Sequence, residues 1–203
     1  MASYSNKTKE QIFKEVEEIR KDFSQLTDMR PELIGQLQHS YALEKCRSTI
    51  ERVTQDLAEQ HNQRTGWIEY CKRYFPGPER KKLSVDLDSC WINFQQRYEY
   101  QPIHDHSGVY SYIIFYEIPY ILEEEQMASP GHGSTRSMSG ELHFHYVAAD
   151  GEITAMPIPA DKKWKKKIII FPATLKHFVH PFYSSTDYRI TISGNLALNY
   201  NPS

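Results

Sequence analysis

Ile168-Ile-Ile-Phe-Pro-Ala-Thr-Leu-Lys-His177-Phe-Val-His-Pro-Phe182, followed after a polar turn by Tyr188-Arg189-Ile-Thr191-Ile-Ser193-Gly-Asn195, is the stretch around which the chain is organised. Ile168 to Phe171 is long enough for one buried strand, and Pro172, with no N–H to donate, stops its ladder. Lys176-His177 enters on a turn, and Phe178 to Phe182 reads as a second short strand. Beyond Tyr183–Asp187 the alternation is strict. Arg189, Thr191, Ser193 and Asn195 face one way, while Ile190, Ile192 and Leu196 face the other. A histidine at a strand start and an arginine one hairpin later suit a pocket that holds a metal and an anion. Upstream, Pro102-Ile-His104-Asp-His106-Ser-Gly108 adds two imidazoles at i and i+2, on one face of an extended segment.

The composition around this stretch narrows the field. A chain of 203 residues suits one domain, or one domain with a helical appendage. A formal net charge of -2 carries no general nucleic-acid or membrane signal. An aromatic content of 13%, with 14 tyrosines, points to a packed β-rich core rather than disorder. Cys46, Cys71 and Cys90 are odd in number and lack metal-ligand spacing, so they read as reduced thiols of a cytoplasmic protein. The polar start, Met1-Ala-Ser-Tyr-Ser-Asn-Lys7, carries no targeting pattern. The longest apolar run, Tyr110 to Leu122, is broken by Glu117 and Pro119 and is too short to span a bilayer.

Residues 7–27 predict an amphipathic helix, with Ile12, Phe13, Val16, Ile19, Phe23 and Leu26 at three- and four-residue spacing. A second helix is predicted from about Tyr41 to His61, with Leu43, Cys46, Ile50, Val53 and Leu57 as its buried stripe. The aromatic cluster from Trp67 to Phe75 reads as the link that docks the helices, ending at Phe75-Pro-Gly-Pro78. From Leu83 onward the chain reads as strands: Leu83–Leu87, Cys90–Tyr100, Tyr110–Ile118, Gly140–Tyr146 and Glu152–Pro159, before those of the opening stretch. Asp150-Gly151 is a hairpin turn signal. Glu123–Glu125 and Met127–Ser139 read as a long polar loop, and the Lys162–Lys167 run as a solvated hairpin end. About eight strands preceded by helices predict an α+β, mainly β fold: a double-stranded β-helix (jelly-roll) core at residues 81–203, with a helical region at 1–80 packed on it as one structural unit.

Trp91-x-Asn93, His104-x-His106-Ser-Gly, Phe-Pro-x-x-Leu-x-His177-x-Val-x-Pro and Arg189-x-Thr-x-Ser-x-Asn195 occur in one order. In that order, over roughly residues 83–199, the chain resembles the iron(II)/2-oxoglutarate oxygenases of the prolyl-hydroxylase-like superfamily, in their phage- and bacterium-associated branch. Leu33-Ile-Gly35 and Tyr41-Ala-Leu43 extend the likeness weakly upstream. The resemblance implies iron(II) as metal and 2-oxoglutarate as cosubstrate, with O2 consumed and succinate and CO2 released as an unidentified substrate is hydroxylated. It maps His104 and His177 onto the two metal-binding histidines. His106 stands where the more familiar branch carries Asp or Glu, a departure from the usual set of two histidines and a carboxylate. Either the set is His104, His106 and His177, which we favour, or Asp105 enters through a bulge.

Arg189 maps close to the arginine that grips the far carboxylate of 2-oxoglutarate, a task suited to its planar fork. Thr191 shares its face and could add a hydroxyl donor, with Asn93 and Asn195 as further cofactor-pocket candidates. His143 and His145 match no ligand position and read as pocket lining or surface, while His180 should face away from His177. The 126–139 loop is the natural lid. A cupin-type metalloenzyme shares the barrel and a His-x-His pair, but lacks a Glu soon after His106 and gives Arg189 no role. A non-catalytic jelly-roll binding or structural protein is the other alternative, and it draws on the missing carboxylate. A homodimer is compatible with the sequence.

Overall fold

The period-two alternation of the second half of the chain becomes two antiparallel sheets. The computed structural model describes residues 6–75 and 81–200. Among these the chain runs α1 (Asn6–Ile19), β1 (Ser40–Ala42), α2 (Arg47–Thr65), α3 (Trp67–Lys72), β2 (Leu83–Gln95), β3 (Gln101–His104), β4 (Tyr110–Glu117), α4 (Leu122–Ala128), β5 (Leu142–Val147), β6 (Ile153–Ile158), β7 (Lys167–Pro172), β8 (His177–Val179) and β9 (Arg189–Tyr200). The protein is thus α+β and mainly β. One sheet has the order β1-β2-β9-β4-β7 and the other β3-β8-β5-β6.

In the five-stranded sheet β9 lies between β2 and β4. Its register aligns Gln95 with Arg189, Asn93 with Thr191 and Trp91 with Ser193, while Phe115 aligns with Thr191 and Ile113 with Ser193. These side chains form one face. The alternate positions, Ile92, Phe94, Ile114, Ile190, Ile192 and Leu196, form the other and are buried with the helical residues Ile12, Val16, Ile50 and Ala58. A second apolar cluster lies between the sheets, where Ile113, Phe115 and Phe171 meet Leu142, Phe144 and Phe182. The sheet is therefore covered on both faces, and the polar row of β2 and β9 has nowhere to go but inward.

The helical region is shorter in helix than its periodicity predicts. The first helix ends at Ile19 rather than at 27, and the Asp22 carboxylate accepts from the Ser24 amide (2.8 Å), a local turn that competes with helix. Phe23 and Leu26 still pack on the core. The second begins at Arg47 rather than near Tyr41, because Tyr41 is in β1, paired with Ile92. Its start is set by Glu15 of α1, whose buried carboxylate accepts the amides of Glu44, Lys45 and Cys46 at 3.1, 2.8 and 2.6 Å. It ends at Thr65, where Gly66 takes the left-handed conformation (φ 67°). Trp67 ties α3 to the sheet through its indole N–H, which donates to the Val109 carbonyl (2.9 Å). Of the linker Phe75-Pro-Gly-Pro78, residues 76–78 lie outside the described residues.

Among the strands, Leu83–Leu87 and the segment from Cys90 prove to be one strand, β2, bulged between Leu87 and Ser89 and ending at Gln95. Glu51 of α2 meets the bulge by accepting the Leu87 amide (3.1 Å). Residues 96–99 leave the strand through a turn, with Tyr98 at positive φ, and Tyr100 pairs with Gln36 in an isolated bridge. β8 stops at Val179, short of Phe182, since the next carbonyl, that of His180, is taken by Arg189 (2.8 Å). The Glu123–Glu125 segment is α4 rather than loop, its three carboxylates in the first turn where the helix dipole favours them.

Candidate metal centre

β3 and β8 are neighbours, and their register sets His104 opposite His177. His106 follows past the end of β3, where its amide donates to the Ala173 carbonyl (2.9 Å) and brings its ring back to the same place. The ring centroids of His104 and His177 are 4.2 Å apart, those of His104 and His106 5.0 Å, and those of His106 and His177 5.2 Å. One ligand atom from each lies within 4.8 Å of the others. His104 and His177 are buried and His106 is half-buried.

The backbone sets the tautomers. His104 Nδ1 faces the Pro102 carbonyl at 2.6 Å, and His177 Nδ1 faces the Leu175 carbonyl at 3.0 Å. A carbonyl only accepts, so Nδ1 carries the hydrogen in both rings and Nε2 is left with its lone pair. Metal-binding histidines commonly have such a partner. Burial, reinforced by His104, lowers the pKa of His177 to about 3 and that of His106 to about 4. Burial also lowers that of His104. The rings are thus neutral at neutral pH, the form that binds metal.

Asp105 does not join them. It points outward and pairs with Lys176 (2.8 Å), which holds its carboxyl below the ordinary range. In this structure the carboxylate thus lies outside the cluster of three imidazoles. The chemistry of the donors fits a divalent first-row metal, for which three imidazole nitrogens are apt ligands. One further atom points to a missing acceptor. Trp91 Nε1 is buried with no hydrogen-bond partner among the described residues, and Trp91 lines the cavity walls beside His104 and His106. A buried orphan donor is costly, about 1–3 kcal/mol, unless something bound satisfies it.

A second cavity, about 30 Å³, adjoins this one and shares Gln101, Ile113 and Ser193 with it. Asn93, Gln95, Arg189 and Thr191 line it together. Arg189 is buried, and all five of its N–H groups are engaged. Nε and Nη2 both donate to Gln95 Oε1 (3.0 and 2.7 Å), Nη2 also to the His180 carbonyl (2.8 Å), and Nη1 to the Tyr120 hydroxyl (2.7 Å) and the Gly140 carbonyl (3.0 Å). Every acceptor is neutral. Asn93 accepts from Ser40 (2.7 Å). Asn195 accepts from Ser111 (2.8 Å) and donates to Ser89 (3.1 Å), so both ends of its amide are already used.

The remaining candidates fall elsewhere. His143 lies on the opposite face of β5 from Leu142 and Phe144 and pairs with Glu141 at 2.5 Å. His145 shares that face, and His180 packs against His143 with ring centroids 4.5 Å apart, turned away from His177 as expected. The 126–139 segment packs at the Arg189 end: Ser139 donates to the buried Glu125, which also accepts the Tyr183 and Ser184 amides (2.8 Å each). None of residues 126–139 lines the cavities at the histidines. Gln95, Gln101 and Tyr120 were missed in the sequence. For Gln95 a signal existed, since it continues the Trp91-x-Asn93 alternation by one step.

Three converging imidazoles beside a pocket floored by a buried arginine form a site that could hold a metal ion. Comparison by sequence places the protein more closely: residues 89–195 match the family described as "Putative 2OG-Fe(II) oxygenase", and with more than half of its length matched the chain belongs to that family. No curated protein matches the chain. Among solved structures, a protein from Shewanella oneidensis is similar at 11% identity and a TM-score of 0.31, over 54% of this chain. The chain spans about half (55%) of that protein's length.

Proposed function

We propose that this protein is an iron(II)- and 2-oxoglutarate-dependent dioxygenase that hydroxylates a substrate and releases succinate and CO2. The observation that carries the proposal is the junction of two cavities: His104, His106 and His177 wall one, Arg189 and Thr191 the other, and Ser193, Ile113 and Gln101 are common to both. A short dicarboxylate with a keto-acid end matches the chemistry of such a pair, one end toward a metal and the other toward a cation, once the space between them has opened. We read the two sheets as a double-stranded β-helix, with the helical region folded on it as one unit. Three free cysteines and a need for iron(II) suit a reducing, cytoplasmic compartment.

Iron(II), when bound by the three imidazoles, would supply the O2 and one-electron chemistry. The chain itself does three things. His104 and His177, held by carbonyls, present nitrogen lone pairs without rearrangement. Arg189 meets the second carboxylate, a charge costly to bury without a cation, and Thr191 adds a hydroxyl on the same face. Ile113, Phe115 and Leu142 keep water from the space between. A third neutral ligand in place of a carboxylate leaves the metal one charge more positive and strengthens its hold on an anionic cosubstrate.

Anaerobic titration with iron(II) and 2-oxoglutarate tests this. A weak visible charge-transfer band is expected in wild type and in Asp105→Ala, and is expected to vanish in His106→Ala and His177→Ala. A band lost in Asp105→Ala but kept in His106→Ala would refute the three-histidine assignment. Iron binding with no band in wild type would favour the non-catalytic alternative.

A further inference from the structure

Arg189 has two edges that a carboxylate could take. On one, Nη1 and Nη2 are held by the Gly140 and His180 carbonyls and by Tyr120, a buried ring. These acceptors are backbone or wedged side chain; Tyr120 and His180 do not line the cavity, and Gly140, which does, accepts through a carbonyl fixed in the backbone. On the other edge, Nε and Nη2 share a single acceptor, Oε1 of Gln95, and Gln95 lines the cavity with Arg189. Of the acceptors that reach the fork from the cavity wall, Gln95 is therefore the one held by a side chain rather than by the backbone.

The space is closed as well. About 30 Å³ admits one or two waters, far less than a five-carbon dicarboxylate requires. Something must move before an anion reaches Arg189, and Gln95 is the acceptor on that edge with a flexible side chain. It is tethered at its far end by one hydrogen bond, from Nε2 to the Glu99 carbonyl in the turn after β2 (2.5 Å).

We propose that Gln95 is a displaceable stand-in for the cosubstrate's distal carboxylate. It satisfies the Nε/Nη2 edge while the subsite is empty and swings away when a dicarboxylate arrives. This rests on the cosubstrate reading given above. The residue type suits the task. A buried guanidinium needs its donors satisfied. An amide oxygen does this without neutralising the charge, and its neutral hydrogen bonds are about half as strong as those a carboxylate makes. The exchange is thus downhill for a carboxylate and for few other groups, which makes Gln95 a selectivity filter as well as a plug. Part of the cosubstrate's intrinsic affinity is spent displacing it.

The test is calorimetric titration of 2-oxoglutarate into protein loaded with Mn(II), a probe metal that allows no turnover. Gln95→Glu would place a permanent carboxylate on the same edge and is expected to weaken binding by on the order of 10²-fold. Gln95→Ala is expected to bind as tightly as wild type or several-fold tighter, since no amide has to leave. Mn(II) affinity should stay unchanged in both variants, which also reports that they fold. Wild-type affinity in Gln95→Glu with Mn(II) bound would overturn the role of Gln95 and leave the cosubstrate reading standing. Weakened binding in Gln95→Ala would make Gln95 a prop for Arg189 and would equally overturn it, so this variant decides alone if Gln95→Glu does not fold. No binding by wild type and Gln95→Ala alike would bring down the cosubstrate reading and this inference with it.

Discussion

A histidine buried among other bases resists its proton, and His180 is in that position. Burial, then the ring of His143 beside it and the charge of Arg189, hold its pKa at about 4 against an ordinary 6.5. Between those two values the unfolded chain binds a proton that the folded one refuses. Stability therefore falls as pH drops from about 6.5 to about 4 and is flat, for this residue, on either side. Urea midpoints measured across that window should slope less steeply in His180→Gln than in wild type; an unchanged slope would show that His180 titrates freely. At this scale the sequence was informative where chemistry demands a residue type. His104, His106, His177 and Arg189 were named through the family resemblance whose ordered motifs they occupy, and the three imidazoles do converge in the fold. Of the partners that define them, the Pro102 and Leu175 carbonyls and Tyr120 could not, since backbone acceptors and a distant hydroxyl leave no mark in a one-dimensional pattern, whereas Gln95 lay one step along the Trp91-x-Asn93 alternation.

At the scale of elements, one side chain decides where a helix begins. α2 has Cys46 at its N-cap, which offers no side-chain cap, and the amides of Glu44, Lys45 and Cys46 turn instead to Glu15, a buried residue of α1. Charged acceptors make strong hydrogen bonds, and the unpaired amides would be left partly buried. Glu15→Ala should therefore destabilise the fold by about 2 kcal/mol, with Glu15→Gln intermediate. Chemical denaturation measures both, and a change in Glu15→Ala below about 0.5 kcal/mol, the range of an ordinary surface substitution, would refute the capping role. The same contact explains a boundary the periodicity misplaced. Leu43 lies in the buried stripe and is buried, but as the residue after β1, and apolar spacing alone cannot tell a stripe that begins in a strand from one that begins in a helix. The central strands were easier to read, because Ile190, Ile192 and Arg189, Thr191, Ser193 separate cleanly onto two faces. The bulge at Leu87–Ser89 was not, since nothing local signals the Glu51 that meets it.

For the whole molecule, the arrangement around β9 sets what can come apart separately. β9 pairs along its full length with β2 and, from Ile190 to Leu196, with β4. The segment from Ser129 to Ser139 is tied to its surroundings mainly by side-chain bonds, from Ser139 to Glu125 and to the Pro181 carbonyl and from Arg136 to Glu141. Amide hydrogen exchange should therefore show the centre of β9 opening only with global unfolding, and 129–139 opening earlier. Equal protection of the two regions would contradict this. That segment was legible in the sequence as a Gly/Ser-rich connection, but its anchoring was not, because its distant anchor, the Pro181 carbonyl that accepts from Ser139 and from the Gly140 amide, lies more than forty positions away. The placement of β9 has one more consequence, in time rather than in space. The strand that carries Arg189 on one side carries Ile190 and Ile192, the apolar centre shared with the helices, on the other. The anion end of the pocket then has no lifetime of its own: it persists for as long as a folded molecule persists, and ageing or heat would remove binding capacity molecule by molecule, in whole units, with every surviving copy at full affinity.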